Sequence, residues 1–96
     1  MNFHFRPDAK TEAEAAAEYY EMQRPGLGGE FLSKLESTIN RIVEQPWTWS
    51  KVSPNARRCR MGRFPYGVVY RIKDDEIEIV AIMHLHREPG YWADRT

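Results

Sequence analysis

The sequence predicts an α+β domain in the order β-α-α-β-β-β, a helical hairpin packed on one face of a small, mainly antiparallel sheet. Three observations predict it. From Ala56 to Arg87, strand-like runs follow one another with only short breaks. Upstream lie two stretches of helical apolar spacing, joined by the breaker-rich Pro25-Gly26-Leu27-Gly28-Gly29. Ahead of both is a brief alternation, Phe3 and Phe5 against His4. Two amphipathic helices on so short a connection run antiparallel, and their joint apolar face needs a sheet to cover.

Taken in order, Asn2 to Arg6 is a short strand. Pro7-Asp8 ends it and offers a helix start, while Thr11 with Glu14 has capping-box spacing and offers a second. The helix runs to about Arg24, with Ala9, Ala13, Ala16, Ala17 and Tyr20 on a face whose small residues let another helix come close. Glu12, Glu14, Glu18 and Glu21 read as its solvated side. The second helix begins at Leu27 or Gly29 and runs to Gln45, where Pro46 stops it. Phe31, Leu32, Leu35, Ile39, Ile42 and Val43 form its apolar stripe. Trp47 and Trp49 begin a loop that reaches Asn55, and they read as cover for the core edge or as a binding platform.

Arg57 to Met61 then alternates arginine with Cys59 and Met61. Phe64-Pro65 separates it from Tyr66 to Lys73, whose Val68, Val69, Tyr70 and Ile72 suit a pleated surface. Asp74-Asp75 makes a hairpin to Glu76 to His86. That last run shows a period of two, with Ile77, Ile79, Ala81, Met83 and Leu85 on one face and Glu76, Glu78, His84 and His86 on the other. Glu88-Pro89-Gly90-Tyr91-Trp92 reads as a tail folded back on the sheet.

Ninety-six residues make one domain, 1–96. One cysteine excludes an internal disulfide and fits a reducing cytoplasm. No apolar run approaches a membrane span, and the N-terminus lacks the apolar stretch of a secretory signal. The formal net charge of +0 hides an asymmetry: Lys51 to Lys73 holds seven basic residues and no acidic one. Such a stretch is either a footprint for an anionic partner or a set of cations that pair with the helix carboxylates across the fold.

The hairpin AAAEYYEMQRPGLGGEFL, the proline-closed second helix, the run Arg63-Phe64-Pro65-Tyr66-Gly67-Val68-Val69-Tyr70-Arg71-Ile72 and the ending His84-Leu85-His86-Arg87 before Tyr91-Trp92 resemble the RelE/ParE toxin superfamily. The likeness runs from about Phe3 to Trp92 and is closer to ParE-like members, often labelled plasmid stabilisation proteins. It implies the toxin of a type II toxin–antitoxin module, held by a cognate antitoxin in a hetero-oligomer. It also implies one of two targets: DNA gyrase, bound and inhibited, or the ribosome, where RelE-like members cleave mRNA. A non-toxic relic that still binds its antitoxin is a third reading. No cofactor is implied.

Cleavage by attack of a 2′-hydroxyl needs a proton acceptor, cations for the phosphorane charge and a donor for the leaving oxygen. By the resemblance, Arg58 and Arg60 take the basic places on the first meander strand, Arg87 the later arginine, and Tyr91 the C-terminal tyrosine. Gly67 stands where the family has another arginine. Arginine does not accept a proton at neutral pH, so the base falls to His84 or His86. A metal site from His4, His84 and His86 lacks ligand spacing, and none is expected. Cys59 alternates with the arginines and reads as a buried structural thiol. For the antitoxin, Leu27, Phe31 and Leu35 of the second helix are the expected contacts.

Overall fold

The computed structural model describes residues 1–96. A first strand, β1 (Asn2–Phe5), leads into α1 (Pro7–Gln23) and α2 (Leu27–Glu44); four strands follow, β2 (Ser50–Ser53), β3 (Ala56–Arg60), β4 (Tyr66–Lys73) and β5 (Glu76–His84), and the chain ends in a 3-10 turn, Ala93–Arg95. The sheet order is β1-β5-β4-β3-β2, with β1 parallel to β5 and the rest antiparallel. Of the two possible starts for α1, Pro7 is the one used; Thr11 instead turns its hydroxyl back to the Pro7 carbonyl at 3.1 Å. Proline suits that position because its missing N–H would have no partner there.

Two features depart from expectation. The loop from Trp47 to Asn55 contains β2, which pairs with β3 through Ser50–Arg58 and Lys51–Arg57. The sheet therefore has five strands rather than four. The period of two in the last strand is also broken. Tyr70 faces Ile79 but Val69 faces Ala81, so Val80 is an extra residue, a β-bulge. Ile77 and Ile79 pack under the helices, and after the bulge it is Ile82 that does so, while Ala81 and Met83 turn to the opposite face. His84 consequently lies on the helix side, against the Tyr66 ring at 5.1 Å.

Both faces of the sheet are covered. On one, Ala9, Ala13, Ala16, Phe31, Leu35, Ile39 and Ile42 meet Cys59, Met61, Val68, Tyr70 and Ile77. On the other, Ala56, Val69, Val80, Ala81 and Met83 are closed over by Trp92 of the returning tail. The small-residue face of α1 does what its composition implies, for a Cβ at Gly28 would sit 2.6 Å from the Ala17 carbonyl oxygen. Asp74 and Asp75 both have positive φ, 53° and 61°, as a two-residue hairpin of the twist-matched kind requires.

Candidate functional site

Arg58 and Arg60 leave the same side of β3, as two residues two apart on a strand must. They share a cavity of about 300 Å³ with Arg41, Trp49 and Ser50. Arg41 is anchored there by donating to the Arg60 carbonyl at 3.0 Å and by lying 5.4 Å from the Trp49 ring centre. Neither Arg58 nor Arg60 has a carboxylate partner, in contrast to Arg63 with Glu30 at 2.6 Å and Arg71 with Glu78 at 2.6 Å. The basic stretch thus divides, with some cations paired and others free. Gly67 faces Arg60 across the β3–β4 ladder. A Cβ on it would lie 2.9 Å from Arg58 Cδ, so the bare backbone at Gly67 is what lets the Arg58 stem lie across β4.

The remaining residues of the expected cleavage set are engaged elsewhere. Tyr91 donates its hydroxyl to Glu12 at 2.8 Å, and burial together with that carboxylate pushes its pKa far up. Arg87 stacks on the Tyr91 ring at 3.6 Å from its centre and reaches Glu12 at 3.7 Å. His84 accepts the His86 backbone N–H on Nδ1 at 3.1 Å, which leaves its proton on Nε2. No hydrogen bond or ion pair joins either histidine to Arg58, Arg60 or Arg87. His4 lies between Glu76 at 3.5 Å and Glu78 at 3.3 Å. That puts it beside Glu78, six residues along β5 from His84 and so about 20 Å away. No group of three or more His, Cys, Asp or Glu side chains is placed to hold a metal ion.

The row of glutamates predicts a solvated face for Glu12, which is instead the acceptor at the centre of the tail. Besides Tyr91 it takes Arg95 Nη1 at 3.0 Å and the Ile82 backbone N–H at 3.1 Å. Beyond Phe5 the β5 edge has no partner strand, so Glu12 satisfies a donor that β1 is too short to reach. Glu21, from the same acidic row, accepts the Gly26 and Gly28 N–H groups at 3.0 Å and so caps α2. Nothing in the spacing of four glutamates marks these two apart. The tryptophans divide as well: Trp49 is half-buried against the core, while Trp47 is 63% exposed.

The three α2 residues expected to meet an antitoxin are differently exposed. Phe31 is fully buried, Leu35 nearly so, and Leu27 is half-buried against the core. Leu35 does line an apolar groove of about 410 Å³ between α2 and β1, with Phe3, Phe5, Leu32 and Ile39. Phe3 and Leu32 are the exposed apolar side chains there. Cys59 is buried beside Met61, and burial raises its thiol pKa against the pull of Arg41, so it stays a protonated, inert thiol. No helix is long and apolar enough to cross a membrane.

Comparison with known proteins draws these features together. No curated protein matches the chain in sequence. Among solved structures, a chromosomal ParDE toxin–antitoxin system from P. aeruginosa superposes with a TM-score of 0.69 at 17% identity, covering 90% of this chain and 97% of that one. At that identity the likeness is one of fold. The family model for the ParE toxin of the type II toxin–antitoxin system parDE matches residues 3–89. With the hairpin-on-sheet architecture beneath that match, the chain belongs to the ParE toxin family.

Proposed function

We propose that the chain is a toxin that acts by binding a protein target, DNA gyrase being the one implied by its family, and that it does not cleave RNA. One observation carries this reading: the free cations Arg58 and Arg60 have no proton acceptor beside them. The Arg58–Arg60 cleft can hold an anion, but an arginine pair alone cannot deprotonate a 2′-hydroxyl. Arg87 and Tyr91 are bound up with Glu12, and His84 serves as a backbone cap. Gly67 supplies no charge at all. Losing one positioned donor at a developing oxyanion costs about a hundredfold to a thousandfold in rate, and here the base is missing as well.

In the same reading an antitoxin neutralises the toxin by laying an amphipathic helix along the groove between α2 and β1, with the outer edge of β1 beside it. Leu35 and Leu32 meet it directly and Leu27 flanks it, whereas Phe31 supports the helix from beneath. Purified chain is expected to inhibit supercoiling by gyrase and to leave mRNA on translating ribosomes uncut. Codon-phased cuts in the ribosomal A site, abolished by Arg60→Ala or Arg87→Ala, would replace this reading with the endonuclease one. For the antitoxin, Leu32→Glu should abolish co-purification with the neighbouring gene's product while the fold persists.

A further inference from the structure

The basic residues of the meander are not shared evenly between the two faces of the sheet. Arg58 pairs with Val69 across the β3–β4 ladder and alternates with Ala56, and both of those belong to the core beneath the tail. Arg58 and Arg60 therefore leave the face that the helices do not cover. Trp92 closes over Val69, Val80, Ala81 and Met83 on that face, while Arg60 stays exposed. Every carboxylate that pairs with an arginine serves some other one. Glu30 takes Arg24 and Arg63, Glu78 takes Arg71, and Asp8 and Glu12 take Arg6, Arg87 and Arg95. None pairs with Arg41, Arg58 or Arg60.

These three arginines line one cavity of about 300 Å³ with no acidic side chain among its walls. Two of them are held in place by the fold rather than by a counter-ion. Arg41 rests on the Trp49 ring and donates to the Arg60 carbonyl. The Arg58 stem fills the space that a side chain on Gly67 would take: a Cβ there would lie 2.9 Å from Arg58 Cδ and 3.4 Å from Leu85 Cδ2. Ser50, paired with Arg58 across β2–β3, adds a hydroxyl on the same face. Gathering like charges without a counter-ion opposes folding through their repulsion, and an incoming anion relieves it. Side chains already positioned also lose less freedom when they bind.

We propose that the Arg41–Arg58–Arg60 cleft is the surface by which the chain grips its protein target, and that it grips a cluster of aspartate and glutamate side chains there. This rests on the reading of the chain as a toxin that binds a protein, and it names the surface used. A guanidinium fork matches a carboxylate bidentately, and arginine is among the residues that dominate protein interfaces. A nucleic acid is the rival occupant, and it would need a longer row of free cations and an open ring for a base. Arg57 and Arg63, the cations to either side in sequence, are committed to the Trp49 carbonyl and to Glu30. Trp49, the one ring in the cleft, already carries Arg41.

Surface plasmon resonance of the full chain over immobilised gyrase holoenzyme tests it, with immobilised duplex DNA as the nucleic-acid probe. Wild type is expected to bind gyrase, more weakly as salt rises, and to bind the duplex less tightly. Arg58→Glu with Arg60→Glu should weaken gyrase binding about tenfold or more and flatten its salt dependence. Lys10→Glu with Lys51→Glu makes the same change in net charge at two exposed lysines, one on α1 and one on the opposite face of β2, and should leave the affinity near wild type. Should the arginine reversal lower the melting temperature, Arg58→Gln with Arg60→Gln replaces it, with a smaller loss expected. The proposal is overturned if the arginine changes leave the affinity intact, if the lysine control weakens it equally, or if the duplex binds more tightly than gyrase. Wild type that fails to bind gyrase sinks the target reading and this proposal together, whereas tight binding indifferent to Arg58 and Arg60 sinks the proposal alone.

Discussion

Glu12 joins helix, sheet and tail through one carboxylate, and its partners Tyr91, Arg95 and the Ile82 N–H are all partly withdrawn from water. Removing the acceptor leaves the Arg95 guanidinium with Asp8, at 3.2 Å, and the Val80 carbonyl, at 3.1 Å, and strands a strand-edge donor. Glu12→Ala is therefore expected to cost about 3 kcal/mol in urea denaturation, the scale for breaking a mostly buried pair from one side. A loss within experimental error would mean that the tail is held by packing alone. Glu78 offers a second test, by pH. Burial opposes its ionisation, but the hydrogen bonds from Arg71 and His4 and the nearby charges outweigh that and hold its pKa below the ordinary 4.5. A carboxyl depressed in the folded state adds stability above its unfolded pKa and loses it as pH falls through the folded value. Wild type should thus outlast Glu78→Gln in thermal melts at neutral pH, and the gap should close on acidification below about pH 4. A gap independent of pH would assign the effect to packing. None of this was legible beforehand, since Glu12 and Glu78 sit in plain acidic rows and their partners come from remote parts of the chain.

At the level of elements, the two helices were legible to within a residue or so because their apolar spacing, Pro7, Pro46 and the glycine-rich turn all agree. The strands were legible only where they are apolar. β2, Ser50–Ser53, contributes Val52 alone to the core side and lies on the sheet edge, so its sequence carries no alternation to find. The β5 bulge is hidden for the opposite reason: Ile79, Val80, Ala81, Ile82 and Met83 are all apolar, and either phase of the strand satisfies them. The bulge bears on function, because the phase decides which face receives His84. The hairpin turn supplies a paired prediction about helix packing. Gly28 lies at the closest approach of α1 and α2, while a Cβ on Gly29 would meet nothing within 4 Å. Gly28→Ala should therefore destabilise by about 1–3 kcal/mol through overpacking against the Ala17 backbone. Gly29→Ala, one residue on, should stabilise by about 0.5–1 kcal/mol through the unfolded chain's lost freedom. Equal effects from the two changes would deny the close approach its role.

For the whole molecule, the sheet is the shared wall of two cores, and the second depends on the returning tail. Trp92 is only 3% exposed and closes over Val69, Val80, Ala81 and Met83, residues that the helices never touch. The tail's return was readable from Tyr91 and Trp92 so near the end, but its purpose was not, because the unbroken alternation assigned Ala81 and Met83 to the helix side. Covering this face also determines what the toxin can present to a target, since Arg87, Tyr91 and Arg95 are held where the tail lands. Trp92→Ala is expected to cost about 3–5 kcal/mol, a large share of the roughly 5–15 kcal/mol that keeps a domain folded. The indole Nε1 has no hydrogen-bond partner in its buried position, so its donor already stands as a penalty rather than a contribution. Trp92→Phe removes that orphan donor and keeps most of the apolar cover, and it should therefore lose much less than the alanine variant. Urea denaturation of the two variants is the measurement. If phenylalanine proved as damaging as alanine, the indole nitrogen would have to hold a partner through water, and the second core would rest on a polar contact instead of on apolar cover.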